Sequence, residues 1–254
     1  MADAEPTRCG FVALVGAPNA GKSTLLNALV GAKLSIVTPK VQTTRTRIRG
    51  VATERATHNV FVDTPAIFAP KRRLERAMVA AAWAGAADAD LVVVVVDAAA
   101  LGGKGEPDAD TRRIIEGLRA AGRKAILALN KVDAVKPPVL LAIAERLNRE
   151  GLFTDIFMIS ALTGSGVADL KAHLAKHLPE GIWLYPEDQL SDMSERLIAA
   201  EVTREQLFLQ LHQELPYALT VETESWEEFE DGSVKVTQVV YVERDNQKAI
   251  VLGK

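Results

Sequence analysis

Cysteine is nearly absent. Cys9 is the single one in 254 residues, which excludes an internal disulfide, and the four histidines are not clustered with it in any zinc-ligand spacing. That usage fits a reducing compartment. Long apolar runs are missing too: Leu91 to Val96 is far shorter than the ~20 residues of a membrane-spanning helix and reads as a buried parallel strand. Residues 1–10 are polar with no apolar centre, so no signal peptide is expected. Internal repeats and low-complexity tracts are not found. A strong excess of one charge is also lacking, since the net charge is −3, but residues 1–180 carry +6 and residues 181–254 carry −9. The acidic C-terminal part has the wrong sign for attracting nucleic-acid phosphates.

What is present is an alternation of apolar runs and helical patterns in a chain long enough for one α/β domain and a small second module. Strands are expected at about 11–15, 47–52, 58–63, 91–97, 125–129 and 156–160, with helices at 23–30, 72–87, 108–121, 137–148 and 166–177. This rhythm predicts an α/β fold with a mostly parallel six-stranded sheet covered on both faces, over residues 1–178. Leu178-Pro179-Glu180-Gly181 breaks the last helix, and Pro186 follows, so 179–190 reads as a linker. Over 191–254, a long helix at 194–213 precedes strands at 218–224 and 234–243, joined through Asp231-Gly232, a hairpin signal. A further helical start is expected at 247–252.

Residues 16–23, Gly16-Ala17-Pro18-Asn19-Ala20-Gly21-Lys22-Ser23, lie between the first apolar run and a helix that opens at Thr24. Gly16 and Gly21 let successive N–H groups turn inward, and the helix adds its positive N-terminal end, so the loop forms an anion site suited to a triphosphate. Lys22 reaches the β and γ phosphates, and the Ser23 hydroxyl is placed to ligate Mg²⁺.

The base is read farther along. Asn130-Lys131-Val132-Asp133 follows the run 125–129, which places it at the carboxyl rim of a parallel sheet. The Asp133 carboxylate can accept from guanine N1–H and the exocyclic amine. Adenine would leave a partly buried carboxylate unpaired, a loss that can reject an analogue by about 10⁴-fold or more. Asn130 is expected to brace the loop and the Lys131 stem to lie over the base. Ser160-Ala161-Leu162 ends another strand-like run, with the Ala161 N–H directed at guanine O6. These elements, in this order, make guanine nucleotide the expected ligand.

Between them lie candidates for sensing the γ phosphate. Asp63-Thr64-Pro65-Ala66 ends the run 59–62, so Asp63 is placed to hold Mg²⁺ through water and the Ala66 N–H to face the γ phosphate. In Gln42-Thr43-Thr44-Arg45, one threonine would complete the metal shell when triphosphate is bound; Thr44 is favoured, with Thr43 the alternative. The metal set is thus Ser23, Thr44 and Asp63.

These motifs, with Tyr185-Pro186-Glu187-Asp188, Glu214-Leu215-Pro216-Tyr217 and Val242-Glu243-Arg244, resemble the Era family of bacterial GTPases over essentially the whole chain. The resemblance implies a ribosome-assembly GTPase that uses GTP/GDP and Mg²⁺, and whose C-terminal type II KH domain engages small-subunit ribosomal RNA. It also implies a cytoplasmic monomer acting on ribosomal precursors, with peripheral contact at the inner membrane. Two departures bear on the transfer. The family's Asp-Thr-Pro-Gly is here Asp-Thr-Pro-Ala66, whose Cβ penalises positive φ. The KH signature Gly-x-x-Gly is met only as far as Gly253-Lys254, so 191–254 is read as a partial KH-like module that is not expected to close a core unaided.

Catalysis is expected from Lys22, Asn19 and Thr44, at an unassisted rate on the order of 10⁻³ s⁻¹ or less. The position that carries a water-orienting glutamine in Ras-like enzymes is the apolar Ile67. Asn19 is read two ways: as the residue that, in the family branch, helps hold K⁺ in place of an arginine finger, or as a brace of the loop. Negligible hydrolysis is the competing expectation, which would make the chain a guanine-nucleotide-gated scaffold. Arg45, Arg47 and Arg49 read as a solvated strand face or as phosphate contacts, and Trp183, Tyr185 and Trp226 as packing or as base-stacking groups.

Overall fold

The structure is a computed structural model, and it describes residues 6–38, 48–70, 72–101, 107–212 and 215–253. They form two compact units, one within Met1–Ser35 and Val41–Asp192, the other within Ile36–Lys40 and Met193–Lys254.

In the first unit β1 (Arg8–Gly16), β2 (Ile48–Glu54), β3 (Thr57–Asp63), β4 (Leu91–Asp97), β5 (Ala125–Asn130) and β6 (Phe153–Met158) make one sheet in the order β2-β3-β1-β4-β5-β6. Every pairing is parallel except β2 with β3, which a two-residue turn at Arg55-Ala56 joins in antiparallel. The helices are α1 (Lys22–Val30), α2 (Arg73–Asp88), α3 (Ala109–Ala120), α4 (Pro137–Asn148) and α5 (Val167–His177). This is the expected P-loop α/β fold with a mostly parallel six-stranded sheet.

Alternation along the strands sends side chains to both faces. Ala13 and Val15 of β1 and Val92, Val94 and Val96 of β4 pack with Ala82 and Ala86 of α2, Ile114 and Leu118 of α3, and Ile143 and Leu147 of α4. Val12, Leu14, Val93 and Val95, at the intervening positions, are equally buried. A sheet covered on both sides explains why β4 is all valine between its ends. Because β1 lies between β3 and β4, the chain's crossovers diverge there, and the carboxyl ends of β1, β3, β4 and β5 open onto one rim. β6 starts at Phe153, three residues before the sequence pattern suggests, and ends before Ser160.

Residues 179–192 are laced along this unit. Cys9 N donates to Pro179 O (3.2 Å), Gly181 N to Thr7 O (3.0 Å) and Val51 N to Leu190 O (2.8 Å), and Gly50 and Ser191 form an antiparallel bridge. Trp183 stacks on the buried His58 at 3.9 Å and donates to Ala56 O, so its ring serves packing. Arg49, over the Phe11 ring, pairs with Asp192 at 3.1 Å. The strap occupies part of the free edge of β2, where an open strand would offer unpaired backbone groups.

The second unit contains α6 (Glu195–Gln210), capped by Ser194, and the antiparallel pair β7 (Leu219–Glu228) and β8 (Val234–Val242), then α7 (Asp245–Val251). The Asp231 carboxylate accepts from Ser233 N and Oγ, and Gly232 takes φ 79°, which closes the hairpin at the expected Asp-Gly step. Among the described residues of this unit the buried side chains are few: Ile36, Ala200, Arg204, Glu205, Phe208, Pro216 and Leu219. Phe208 lies edge-on to Tyr217, with Arg204 over its ring and forked onto Glu201 at 2.8 and 2.6 Å. Among the described residues no helix is long and apolar enough to cross a membrane.

Candidate nucleotide-binding site

β1 ends at Gly16 and α1 begins at Lys22, so the loop between them sits at the centre of the rim. Asn19 (φ 58°) and Gly21 (φ 94°) both take left-handed backbone, which turns the loop back on itself. At Gly21 this conformation combines with crowding: an added Cβ would lie 2.2 Å from Asn130 Nδ2. Pro18 is half-buried, Asn19 exposed and Ala20 buried, and Thr24 lies half-buried in the first turn of α1. The Lys22 ammonium donates to Gly16 O (3.0 Å) and Ala17 O (2.9 Å). Burial pushes its pKa down to about 8 although the Asp63 carboxylate pulls it back up.

Gly16 O also accepts from Ile67 N at 3.1 Å, and Thr64 Oγ1 donates to Leu14 O at 2.7 Å, so the segment after β3 is fastened to β1. Within it Asp63 is fully buried and its Oδ2 accepts from Ser23 Oγ (2.7 Å) and Ser35 Oγ (2.9 Å). A buried carboxylate beside hydroxyl oxygens is a hard, all-oxygen donor set, and it fits Mg²⁺ better than a softer metal. Ala66 is buried and is not among the described residues with positive φ, so its methyl group is accommodated without strain here. Ile67 is completely buried in the main core, against the same cluster as Val15 and Val94. Thr44 and Thr43 lie outside the described residues, as do Arg45 and Arg47.

The base side of the rim is organised by Asn130, the last residue of β5. Its Nδ2 donates to Ala20 O at 2.8 Å, and its Oδ1 accepts from Ala161 N at 2.9 Å. One side chain therefore ties the phosphate loop to the loop after β6. The Ala161 N–H, expected to face guanine O6, is directed at Asn130; an O6 contact has to share that donor. Lys131 takes φ 65° and its ammonium pairs with Asp97 Oδ2 at 2.6 Å. Asp133, on a short 3₁₀ turn over Val132–Ala134, is exposed. Ser160 is fully buried, with Oγ accepting from Thr163 N, while Leu162 is 81% exposed and offers an apolar surface beside the loop.

Two contributors escaped the sequence reading. Asp97 ends β4 on the same rim, where its Oδ1 accepts from Ala99 N and Ala100 N while its other oxygen holds Lys131. The only sequence signal is an acid closing an apolar run. Ser35, five residues past α1, carries no motif at all.

Comparison with known proteins converges on one family. Residues 11–131 match the family model described as 50S ribosome-binding GTPase, and residues 214–254 match the KH domain. The chain is 61% identical to the GTPase Era of Dinoroseobacter shibae, over 99% of this chain and 81% of that protein. It is 58% identical to the GTPase Era of Brucella melitensis, over 99% and 79%. A variant of Aquifex aeolicus Era bound to GDP·AlF4⁻ matches with a TM-score of 0.88 at 34% identity, covering 98% of this chain and 83% of that one. The same values hold for Era in complex with MgGDPNP and nucleotides 1506–1542 of 16S ribosomal RNA. Motifs, rim geometry and relatives agree: the chain belongs to the Era family of GTPases.

Proposed function

We propose that this chain binds GTP across the rim of its first unit, hydrolyses it slowly, and uses its second unit on small-subunit ribosomal RNA during assembly of that subunit. The observation that carries the nucleotide reading is the Asn130 side chain, which joins the phosphate loop to the base loop while leaving Asp133 exposed beside them. Gly16, Pro18, Asn19, Ala20, Gly21, Lys22, Ser23 and Thr24 would surround the phosphates. Asn130, Lys131, Asp133, Ser160, Ala161 and Leu162 would surround the base.

Ser23, Asp63 and Thr44 would hold Mg²⁺, which when bound draws charge from the phosphate oxygens. The chain's own part in hydrolysis is electrostatic. The Lys22 ammonium and the loop N–H groups stabilise charge that shifts toward the leaving oxygen. Ile67, locked in the core, positions no water, which is why the unassisted rate is low. Asn19 is the candidate for a K⁺ contact, and the Ala66 N–H for the γ phosphate. Turnover in K⁺ against Na⁺ at matched ionic strength tests the first: equal rates remove it.

The RNA reading draws on the KH match and on the Era relative solved with a 16S fragment. The −9 charge of residues 181–254 opposes phosphate binding, so affinity is expected to be weak and, with few phosphates neutralised, only shallowly salt-dependent. We place the protein in the cytoplasm as a monomer working on ribosomal precursors, with peripheral contact at the inner membrane. Binding of a 16S 3′-end fragment in the GTP and GDP states tests the partner; equal binding to an unrelated RNA would contradict it.

A further inference from the structure

Ser35 is buried, with 1% of its surface exposed, in a loop that carries none of the nucleotide motifs. It is held unusually firmly. Asn27, one helical turn beyond Ser23 on α1, accepts from Leu34 N and Ser35 N with the same Oδ1, both at 2.9 Å, and donates from Nδ2 to Ser35 O at 2.8 Å. A single side chain thus satisfies both backbone groups of Ser35 and fixes its position against the helix that carries Ser23. From there Ser35 Oγ donates to Asp63 Oδ2 at 2.9 Å, the oxygen that also accepts from Ser23 Oγ at 2.7 Å.

A buried carboxylate turns about its last torsion unless its oxygens are held, because terminal carboxylate torsions are broad. Two hydroxyl donors converging on one oxygen, from elements locked together by Asn27, set that torsion and leave the geometry of Asp63 defined. If the Ser23 hydroxyl is engaged by a metal, the Ser35 hydroxyl still holds the carboxylate. We propose that Ser35 is a positioning residue for Mg²⁺: it orients Asp63 toward the metal locus and so controls how strongly Mg²⁺ retains bound nucleotide. The inference rests on the nucleotide reading above. Partners that orient metal-binding groups in this way are worth about 10- to 100-fold in metal affinity.

The test is release of fluorescent mant-GDP from the full chain, followed as free Mg²⁺ is varied and again in excess EDTA. For Ser35→Ala the Mg²⁺ concentration giving half-maximal retention should rise about 10-fold or more, while release in EDTA stays at the wild-type rate. Ser35→Thr, which keeps the hydroxyl, should return the midpoint to within about 3-fold of wild type. An unchanged midpoint in Ser35→Ala, or faster release in EDTA with the midpoint unmoved, overturns the inference and leaves nucleotide binding standing. A Ser35→Thr midpoint as high as that of Ser35→Ala also overturns it. A wild-type chain that retains no mant-GDP at any Mg²⁺ concentration overturns the nucleotide reading itself.

Discussion

Asn130 Nδ2 lies 2.8 Å from the carbonyl oxygen of Ala20, so the residue that opens the base loop also buttresses the phosphate loop. Asn130 is 2% exposed, and removing its amide leaves both Ala20 O and Ala161 N without this partner. Asn130→Ala is therefore expected to weaken GTP and inorganic triphosphate alike, by about 10-fold or more for a lost buried hydrogen-bonding side chain. Asp133→Ala should leave triphosphate binding unaltered. Competition binding with the two ligands separates the roles; a triphosphate affinity unchanged in Asn130→Ala would contradict the bracing.

The Asp97–Lys131 pair predicts a smaller effect. Its members are partly exposed, and pairs of that kind contribute at most about 1 kcal/mol. Asp97→Asn keeps an oxygen for Ala99 N and Ala100 N but loses the charge that holds Lys131. GTP affinity should fall about 3- to 5-fold, with the Mg²⁺ dependence of release unchanged. A shifted Mg²⁺ midpoint would show that Asp97 acts elsewhere.

Ile67 yields a prediction that runs against analogy. Installing glutamine at the position where Ras-like enzymes carry one would ordinarily be expected to speed hydrolysis. Here that side chain is completely buried among Val15, Val94 and their neighbours. Ile67→Gln should bury an amide without a partner, cost about 2 kcal/mol or more, and give no faster single turnover. Thermal unfolding beside a hydrolysis time course checks both; a stable and faster variant would show that the segment leaves the core.

Lys22 makes nucleotide binding depend on pH. Burial holds its pKa near 8 in the free protein, and phosphate oxygens favour the charged form, so binding takes up a proton at higher pH. GTP affinity should be flat below about pH 8 and fall by up to about tenfold per unit above it. For folding of the free chain the sign differs. The unfolded lysine, with its ordinary value of 10.5, holds more protons than the folded one between about 8 and 10.5, so this group's contribution to stability improves as pH rises through that window. Calorimetry from pH 7 to 9.5 on wild type and Lys22→Met checks the binding slope; an affinity that rises above pH 8 would contradict it.

The parts of the site that could be read from the sequence are those where local chemistry is strict. A glycine pair around Lys22 after an apolar run, and an Asn-Lys-x-Asp string after another, have few other uses, and the structure puts both at strand ends. Asp97 and Ser35 were invisible because their work depends on partners 34 and 28 residues away, and nothing local distinguishes them from a strand-end acid or a loop serine. The start of β6 was hidden by Thr154 and Asp155, polar residues that interrupt the apolar pattern near the sheet's edge. Residues 179–190 read as a linker because Pro and Gly break the helix. Residues 179–192 attach to β1 and β2 through backbone bonds at Cys9 and Val51 and through scattered side chains, Arg49 with Asp192 and Ser191 with Arg49 O, which leave no periodic trace in the sequence. Trp183 was the one conspicuous clue, and its partner His58 offered no reason to connect them.

Calorimetric titration of the chain with GTP and ATP in Mg²⁺, repeated on Asp133→Ala, tests the base assignment most directly. GTP should bind at least about 10⁴-fold more tightly than ATP, and loss of the Asp133 carboxylate should collapse that ratio, weakening GTP while relieving ATP of the unpaired charge. Comparable affinities for the two nucleotides, or an undiminished preference for GTP in Asp133→Ala, would contradict it.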